Sequence, residues 1–356
     1  MTGAKQTPEE RQTGSTDVPA NTVSANRFVS FLFAAFLVSA ILYLARVVIE
    51  PVAFALFGIA LVWPALQALE RRVPRPLALL LTILLAMVVI FAMASAIIWS
   101  VSDIVHWVLD NIGQFHLVYT QVTQWLESHG VFVADGFNQY DLRNFAWFLQ
   151  NIVLHVNALA GFGIVVFLLM TFGLTEMSYS GDRFQELTQR TGWQVAATSL
   201  DIAKKIRTYM LIRTLASLAT GVAVFLYTKY IGLDLAIAWG VISFILNYIP
   251  YIGTLVAVIL PVMFSAIQFE SWQMPLILFG GLYLVQFFVG SYLEPIAASK
   301  ALSVSPFVML VAFFFWGFLW GLPGAFIGLP MTIALVTACQ HNPSTQWIVR
   351  LLSSPK

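Results

Sequence analysis

Residues 301–340 carry no charged side chain, and within them Gly317, Gly321, Gly324 and Gly328 are set around Pro323 and Pro330. A continuous helix of that length would run roughly 60 Å, about twice the hydrocarbon thickness of a bilayer. The block must therefore break, and Leu322-Pro323-Gly324 is the place for it. It reads as two apolar arms meeting at a turn inside or just beyond a membrane. Irregular backbone at that depth survives only where it is packed in protein or lines a polar cavity. A broken apolar segment is thus a sequence pointer to a translocation path.

The 356 residues are 59% hydrophobic and 10% charged, where soluble domains carry roughly 25% charged residues. Such a chain reads as an all-α, polytopic integral membrane protein with about eight transmembrane helices plus broken or re-entrant helical hairpin segments. Uncharged runs fall at 28–45, 51–69, 77–101, 158–175, 214–228, 235–269 and 271–293. The 235–269 run is too long for one crossing and splits near its centre, where Asn247, Pro250 and Gly253 lie. The 28–45 run is longer than the apolar region of a signal peptide and has no small-residue cleavage site, so it stays attached as the first span.

Lys and Arg in the connecting loops set the orientation. Glu70-Arg71-Arg72 and Arg75 place the loop after the second span in the cytoplasm. Residues 102–155 hold Asp103, Asp110, Glu127, Asp135 and Asp141 against Arg143 alone and face outside. The loop at 176–213, with Arg183, Arg190, Lys204, Lys205, Arg207 and Arg213, returns to the cytoplasm. The chain accordingly divides into a disordered cytoplasmic tail at 1–26, three spans at 27–101, an extracytoplasmic amphipathic helical segment at 102–155 and a fourth span at 156–175. A cytoplasmic helical segment at 176–210, a transport core with broken helices at 211–340 and a cytoplasmic tail at 341–356 complete it, with both termini cytoplasmic.

Four constellations carry candidate chemistry. In Asn247-Tyr248-Ile249-Pro250-Tyr251-Ile252-Gly253, Pro250 has no amide hydrogen and clashes with the preceding turn. A carbonyl near residue 246 is then freed for a polar substrate or an ion; the alternative is a plain interhelical turn at the bilayer edge. In Gln286 to Pro295, Glu294 costs about 2.5–3.5 kcal/mol at mid-bilayer and much less at an interface. Its depth therefore separates a functional group from a solvated partner of Lys300. Gln286 lies roughly 12 Å deeper and needs a hydrogen-bond partner, while Pro295 ends or bends the helix. The substrate or ion path is assigned to Asn247, Pro250, Gly253, Gln286, Glu294 and Pro295. The third constellation is Gly317, Gly321, Gly324 and Gly328, which would share one face of an unbroken helix and read as hinge or close packing together with Pro323 and Pro330. In the fourth, His106, His116, His129 and His155 lie in the outer segment at spacings of 10, 13 and 26, which match no compact ligand motif. They read as surface histidines, and no metal site is expected.

Net charge of +1 gives no basic field for nucleic acid. The single cysteine, Cys339, reads as a packing residue. There is no G-x-S-x-G elbow, no H-E-x-x-H and no phosphate loop. No catalytic residue and no cofactor are assigned, and an energy source would be an ion gradient rather than a bound nucleotide.

The ordered set Asn247 to Gly253, Gln286, Leu293-Glu294-Pro295, Leu302 to Pro306, Phe315 to Gly321 and Gly324 to Pro330 resembles the autoinducer-2 exporter (AI-2E) family of membrane permeases, in its TqsA-like branch. The likeness covers roughly residues 195–340 in ordered motifs and the whole topology. It implies a bacterial inner-membrane secondary transporter, assembled as a homo-oligomer in membrane lipid. Such a protein would export a small polar solute, with autoinducer-2 as the example, or exchange sodium (or lithium) for protons, with a coupling cation or proton. Departures at Ser291, Ile296 and Ser299, where relatives carry Asn, a basic residue and Gly, bear on the cargo. A reading from another class is a non-transporting membrane scaffold that binds a partner through 182–209.

Overall fold

The computed structural model describes residues 20–111, 161–179, 193–249, 252–269, 271–290 and 305–341, with short pieces between 113 and 130 and at 345–346. All regular structure among the described residues is helical, and five helical segments are long and apolar enough to cross a membrane. The all-α membrane class read from composition is the class observed.

Residues 1–46 and 47–356 are two compact units. The first holds α1 (Ala20–Leu44), in which the Ser39 hydroxyl donates to the Ala35 carbonyl at 2.8 Å and keeps a polar group satisfied inside an apolar helix.

In the second unit, α2 (Arg46–Glu70), α3 (Arg75–Asp110) and α4 (Gly161–Tyr179) share one core of Ala55, Ile59, Leu66, Ala78, Ala86, Met170 and Leu174. Glycines set the distance: a Cβ at Gly58 would meet Met170 Sδ at 2.8 Å, and Gly173 packs directly on Ile59. At one end of the trio the Arg75 guanidinium donates to Ser178 Oγ at 3.0 Å, and the same hydroxyl donates to Glu70 at 3.3 Å. Pro64 inside α2 removes the amide that would have bonded the Ala60 carbonyl. That carbonyl accepts instead from Arg207 Nε at 2.7 Å, so a proline scar on one helix is healed by a side chain from another.

Arg207 belongs to α5 (Trp193–Ile231), a single helix of 39 residues. It runs without a break through position 210, joining the basic segment to the membrane span. Near its start Lys205 pairs with Asp201 at 3.0 Å and donates to Gln340 and Thr337 at 2.8 and 3.3 Å. Gly232, at φ +83°, stops α5 in a Schellman turn: Leu233 N–H reaches Thr228 O at 2.9 Å and Gly232 N–H reaches Lys229 O at 3.2 Å. The chain then reverses into α6 (Ala236–Leu246), antiparallel to α5. A turn opens at 247–249, and α7 (Ile252–Gln268) and α8 (Gln273–Phe288) follow. Trp239 and Phe264 meet at 5.1 Å, and Trp107 of α3 packs on Phe264 at 3.9 Å. These rings anchor a second core with Val224, Leu278 and Leu282. The expected split of the 235–269 run is therefore present, as two antiparallel helices.

The last element, α9 (Pro306–His341), is folded double. Gly321 sits at φ 68°, ψ −144°, a conformation closed to L side chains, and divides it into arms of residues 306–320 and 322–341. Gly324 lies against the Trp316 carbonyl, and a Cβ at Gly328 would stand 3.0 Å from Trp316 Cβ. Trp316 Nε1 donates to Thr332 Oγ1 at 3.1 Å, and Thr332 donates to the Gly328 carbonyl at 2.8 Å. The reversal comes one residue ahead of the Leu322-Pro323-Gly324 site read from sequence, because glycine alone tolerates the positive φ. The first arm, about 22 Å long, falls short of a crossing.

Two neighbouring glycines of α8 separate propensity from packing. Gly280 faces open space, whereas Gly281 lies against the Tyr227 ring, whose hydroxyl donates to the Ile277 carbonyl at 2.7 Å. Thermal unfolding in detergent should show Gly280→Ala neutral or stabilising by up to about 1 kcal/mol. Gly281→Ala should destabilise by on the order of 1–3 kcal/mol through displacement of that ring. A second expectation concerns the healed scar: Arg207→Leu should lose about 1–3 kcal/mol by orphaning the Ala60 carbonyl. Pro64→Ala in the same chain should recover most of that loss, because residue 64 regains its own amide; equal losses in both backgrounds would refute the assignment.

Candidate functional site

Along α5, Arg213, Ser217 and Thr220 recur at spacings of four and three and so share one face. On α6 and the turn after it, Ser243, Asn247 and Tyr248 face them. Asn247 Nδ2 donates to Ser217 Oγ at 3.1 Å, and Tyr248 OH donates to Thr214 Oγ1 at 2.9 Å. The helices cross where a Cβ on Gly221 would stand 2.8 Å from the Gly240 carbonyl. Ser217 and Thr220 are 0% exposed, Ser243 and Asn247 1%, and Arg213 7%. This is a polar seam inside two apolar helices.

Antiparallel register puts Thr220 at the level of Ser243, between the Ser217–Asn247 bond and the glycine crossing. Both hydroxyls are buried without a hydrogen-bond partner. A default partner exists for any helical hydroxyl, the carbonyl one turn back, and Thr82, Thr171, Thr228 and Thr332 all use it at 2.7–2.8 Å. Thr220 and Ser243 decline it. A buried unsatisfied hydroxyl costs about 1–3 kcal/mol, so a hydrogen-bonding group brought to this level of the seam would be favoured there. The Gln286 amide on α8 is a further buried donor without a partner.

Depth follows from helix rise. Lys229, Tyr230 and Asp234 are exposed at the α5–α6 reversal and mark the water boundary there. Asn247 lies about 17 Å along α6 from its first residue, and Arg213 about 27 Å along α5 from Ile231, against a hydrocarbon thickness of about 30 Å. The seam therefore begins near the far boundary and ends past mid-membrane. Beyond it the Trp107, Trp239 and Phe264 rings pack together. Tyr248 rests on Phe326 of the terminal hairpin at 5.4 Å, and Phe326 stacks on Phe54 at 6.4 Å. None of the residues of α6 to α9 is acidic, so Arg213 is the charge the seam carries.

Of the residues assigned to the path from sequence, Asn247 lies in the seam and Gln286 is a buried donor on a neighbouring helix. Pro250, Glu294 and Pro295 lie outside the described residues. One expectation is overturned: the carbonyl near residue 246 is not free. Leu246 O accepts from the Ile249 amide at 2.9 Å, and Gly253 packs over it, because the turn tightens to i+3 bonds that absorb the proline's missing donor. Gly253 is thus a close-packing glycine. Gly317, Gly324 and Gly328 serve the closure of the hairpin together with the turn at Gly321, rather than one sliding face; Pro323 and Pro330 both lie in the second arm. Sequence reasoning missed Thr214, Ser217, Thr220 and Ser243, and counted Arg213 as a loop cation. The signal was present in the helical spacing of Arg213, Ser217 and Thr220 and of Ser243 and Asn247.

The AI-2E family transporter profile matches residues 30–343. The AI-2 transport protein TqsA of Escherichia coli is 27% identical over 342 residues, covering 94% of this chain and 98% of its own. A Haemophilus influenzae protein, provisionally named a transport protein, is 26% identical over 317 residues, 85% of this chain and 89% of its own. A Borreliella burgdorferi protein with the same provisional name is 36% identical over 173 residues, so that this match spans about half of each chain, 48%. With helices fit to cross a membrane, a buried polar seam and a profile matched over most of its length, the chain belongs to the AI-2E family of transporters.

Proposed function

We propose that the chain exports a small polar solute across the bacterial inner membrane by alternating access, with residues 211–340 as the transport core and the α5–α6 seam as the segment that holds the cargo. The observation that carries this reading is the pair of fully buried, partnerless hydroxyls on Thr220 and Ser243. A passing solute with hydrogen-bonding groups supplies what the protein withholds, and binding energy is realised only while the solute is present. Asn247 and Gln286 orient the cargo, and Arg213 meets it at the seam's entrance. The glycine crossing at Gly221 and Gly240 is the pivot, and the Trp107, Trp239 and Phe264 rings are the barrier that must part for release.

The basic loops put both termini and the seam's Arg213 end in the cytoplasm, which makes outward movement the natural direction. The printed name of the Escherichia coli relative makes autoinducer-2 the first solute to assay. Assembly as a homo-oligomer belongs to the same reading.

Flux of autoinducer-2 and a panel of polar solutes from proteoliposomes, under imposed sodium or proton gradients, tests it. Thr220→Val and Ser243→Ala should each leave the melting temperature unchanged or higher, since an unsatisfied group is removed. Each should still lower solute flux about tenfold, equivalent to roughly 1.4 kcal/mol of lost binding to the cargo. Wild-type flux of protons and sodium with none of any solute would assign the scaffold to ion exchange instead, and variants that transport like wild type would remove the seam from the path.

A further inference from the structure

On the lipid-facing side of the same two helices, a cavity of about 450 Å³ opens between α3, α5 and α6. Its walls include Ala92 and Ala96 on α3, Leu218 and Phe225 on α5, and Ile237 and Phe244 on α6. The hollow exists because small residues leave it: Gly221 and Gly240 bring α5 and α6 together without side chains, and alanines face them from α3. Every lining residue is apolar, and at the rim Leu218, Val222 and Ile237 are 53%, 48% and 55% exposed.

One end of the groove is marked by charge. Lys229, one turn beyond the lining residue Phe225, folds its ammonium over that ring at 5.5 Å and makes no ion pair among the described residues. The nearby acid, Asp234, accepts from Trp107 Nε1 at 3.2 Å. Tyr230, 88% exposed beside Lys229, sits at the depth where aromatic residues mark the headgroup boundary. From Lys229 the groove runs along α5 from about 6 Å at Phe225 to about 17 Å at Leu218, which is the depth of one leaflet's hydrocarbon.

We propose that this groove is a binding site for an anionic phospholipid, with the phosphate on Lys229 and one acyl chain lying between Ala96 and Phe244. A cation against the lining residue Phe225 and wholly apolar walls along the rest of the groove match the two ends of an amphiphile. They do not match a helix of a second copy, whose backbone would set no anion at that point. The groove is outside the polar seam, and the inference stands independently of what the seam carries.

Native mass spectrometry of the purified full chain, titrated in one arm with phosphatidylglycerol and in the other with diacylglycerol bearing the same chains, tests it. Wild type should hold phosphatidylglycerol saturably and more tightly than diacylglycerol. Lys229→Gln changes an exposed side chain and should weaken phosphatidylglycerol about fivefold while leaving diacylglycerol unchanged. Ala96→Phe fills the groove and should lower both lipids; Val241→Phe repeats that test from the opposite wall if α3 is disturbed. Equal affinity of wild type for the two lipids, or wild-type retention of phosphatidylglycerol by Lys229→Gln and both filled variants, would overturn the site. Disulfide-linked dimers through Val222→Cys in native membranes would likewise overturn it, by giving the groove to a second copy.

Discussion

Hydrocarbon offers no hydrogen bonds, so each interruption of a helix inside the membrane must find its replacement donors and acceptors within the protein. The structure is organised around such repairs, together with one reversal at the water boundary. Arg207 caps the Ala60 carbonyl that Pro64 abandons. A Schellman turn at Gly232 closes α5. Two i+3 bonds close the 247–249 turn, and Trp316 with Thr332 clamps the terminal hairpin behind Gly321. In each, a residue chosen for what its backbone can or cannot do is answered by a specific neighbour. Packing then follows the repairs, since the same glycines that permit a reversal permit the close approach of the elements it connects.

Against that background the seam is the exception that carries meaning. The protein satisfies backbone groups at considerable distance in sequence, yet the Thr220 and Ser243 hydroxyls of the seam, like Ser100 on α3 and the Gln286 amide on α8, have no hydrogen-bond partner among the described residues. Local options were within reach, and other threonines in the same chain take them. A hydrogen-bonding group that reaches these positions meets no competing partner among the described residues.

Much of the architecture was legible from the chain alone. Lengths of uncharged runs and the placement of Pro and Gly foretold the helical membrane class, the division of 235–269 and the doubling of the last forty uncharged residues. The site was less so. Asn247 and Gln286 stand out in sequence as polar groups among apolar ones, but Ser217, Thr220 and Ser243 are small and common in membrane helices, and become informative only when their partners are known. Arg213 was misplaced because loop charges are counted by proximity to a span, whereas α5 continues unbroken past it. The freed carbonyl failed for a different reason: proline deletes one donor, but a turn can shorten its hydrogen bonds and leave no acceptor idle.

The unbroken length of α5 has a mechanical consequence. At about 58 Å it is longer than the bilayer's core, and two points on it are tied to different things, Lys205 to the tail of the terminal hairpin and the Gly232 reversal to α6. A straight helix held this way can carry a displacement from one tie to the other. Swinging it by 10° about its centre carries each tip through an arc of about 5 Å, in opposite senses. In such a swing a shift at one surface is matched by an opposite shift at the other, with no loop needed to relay it.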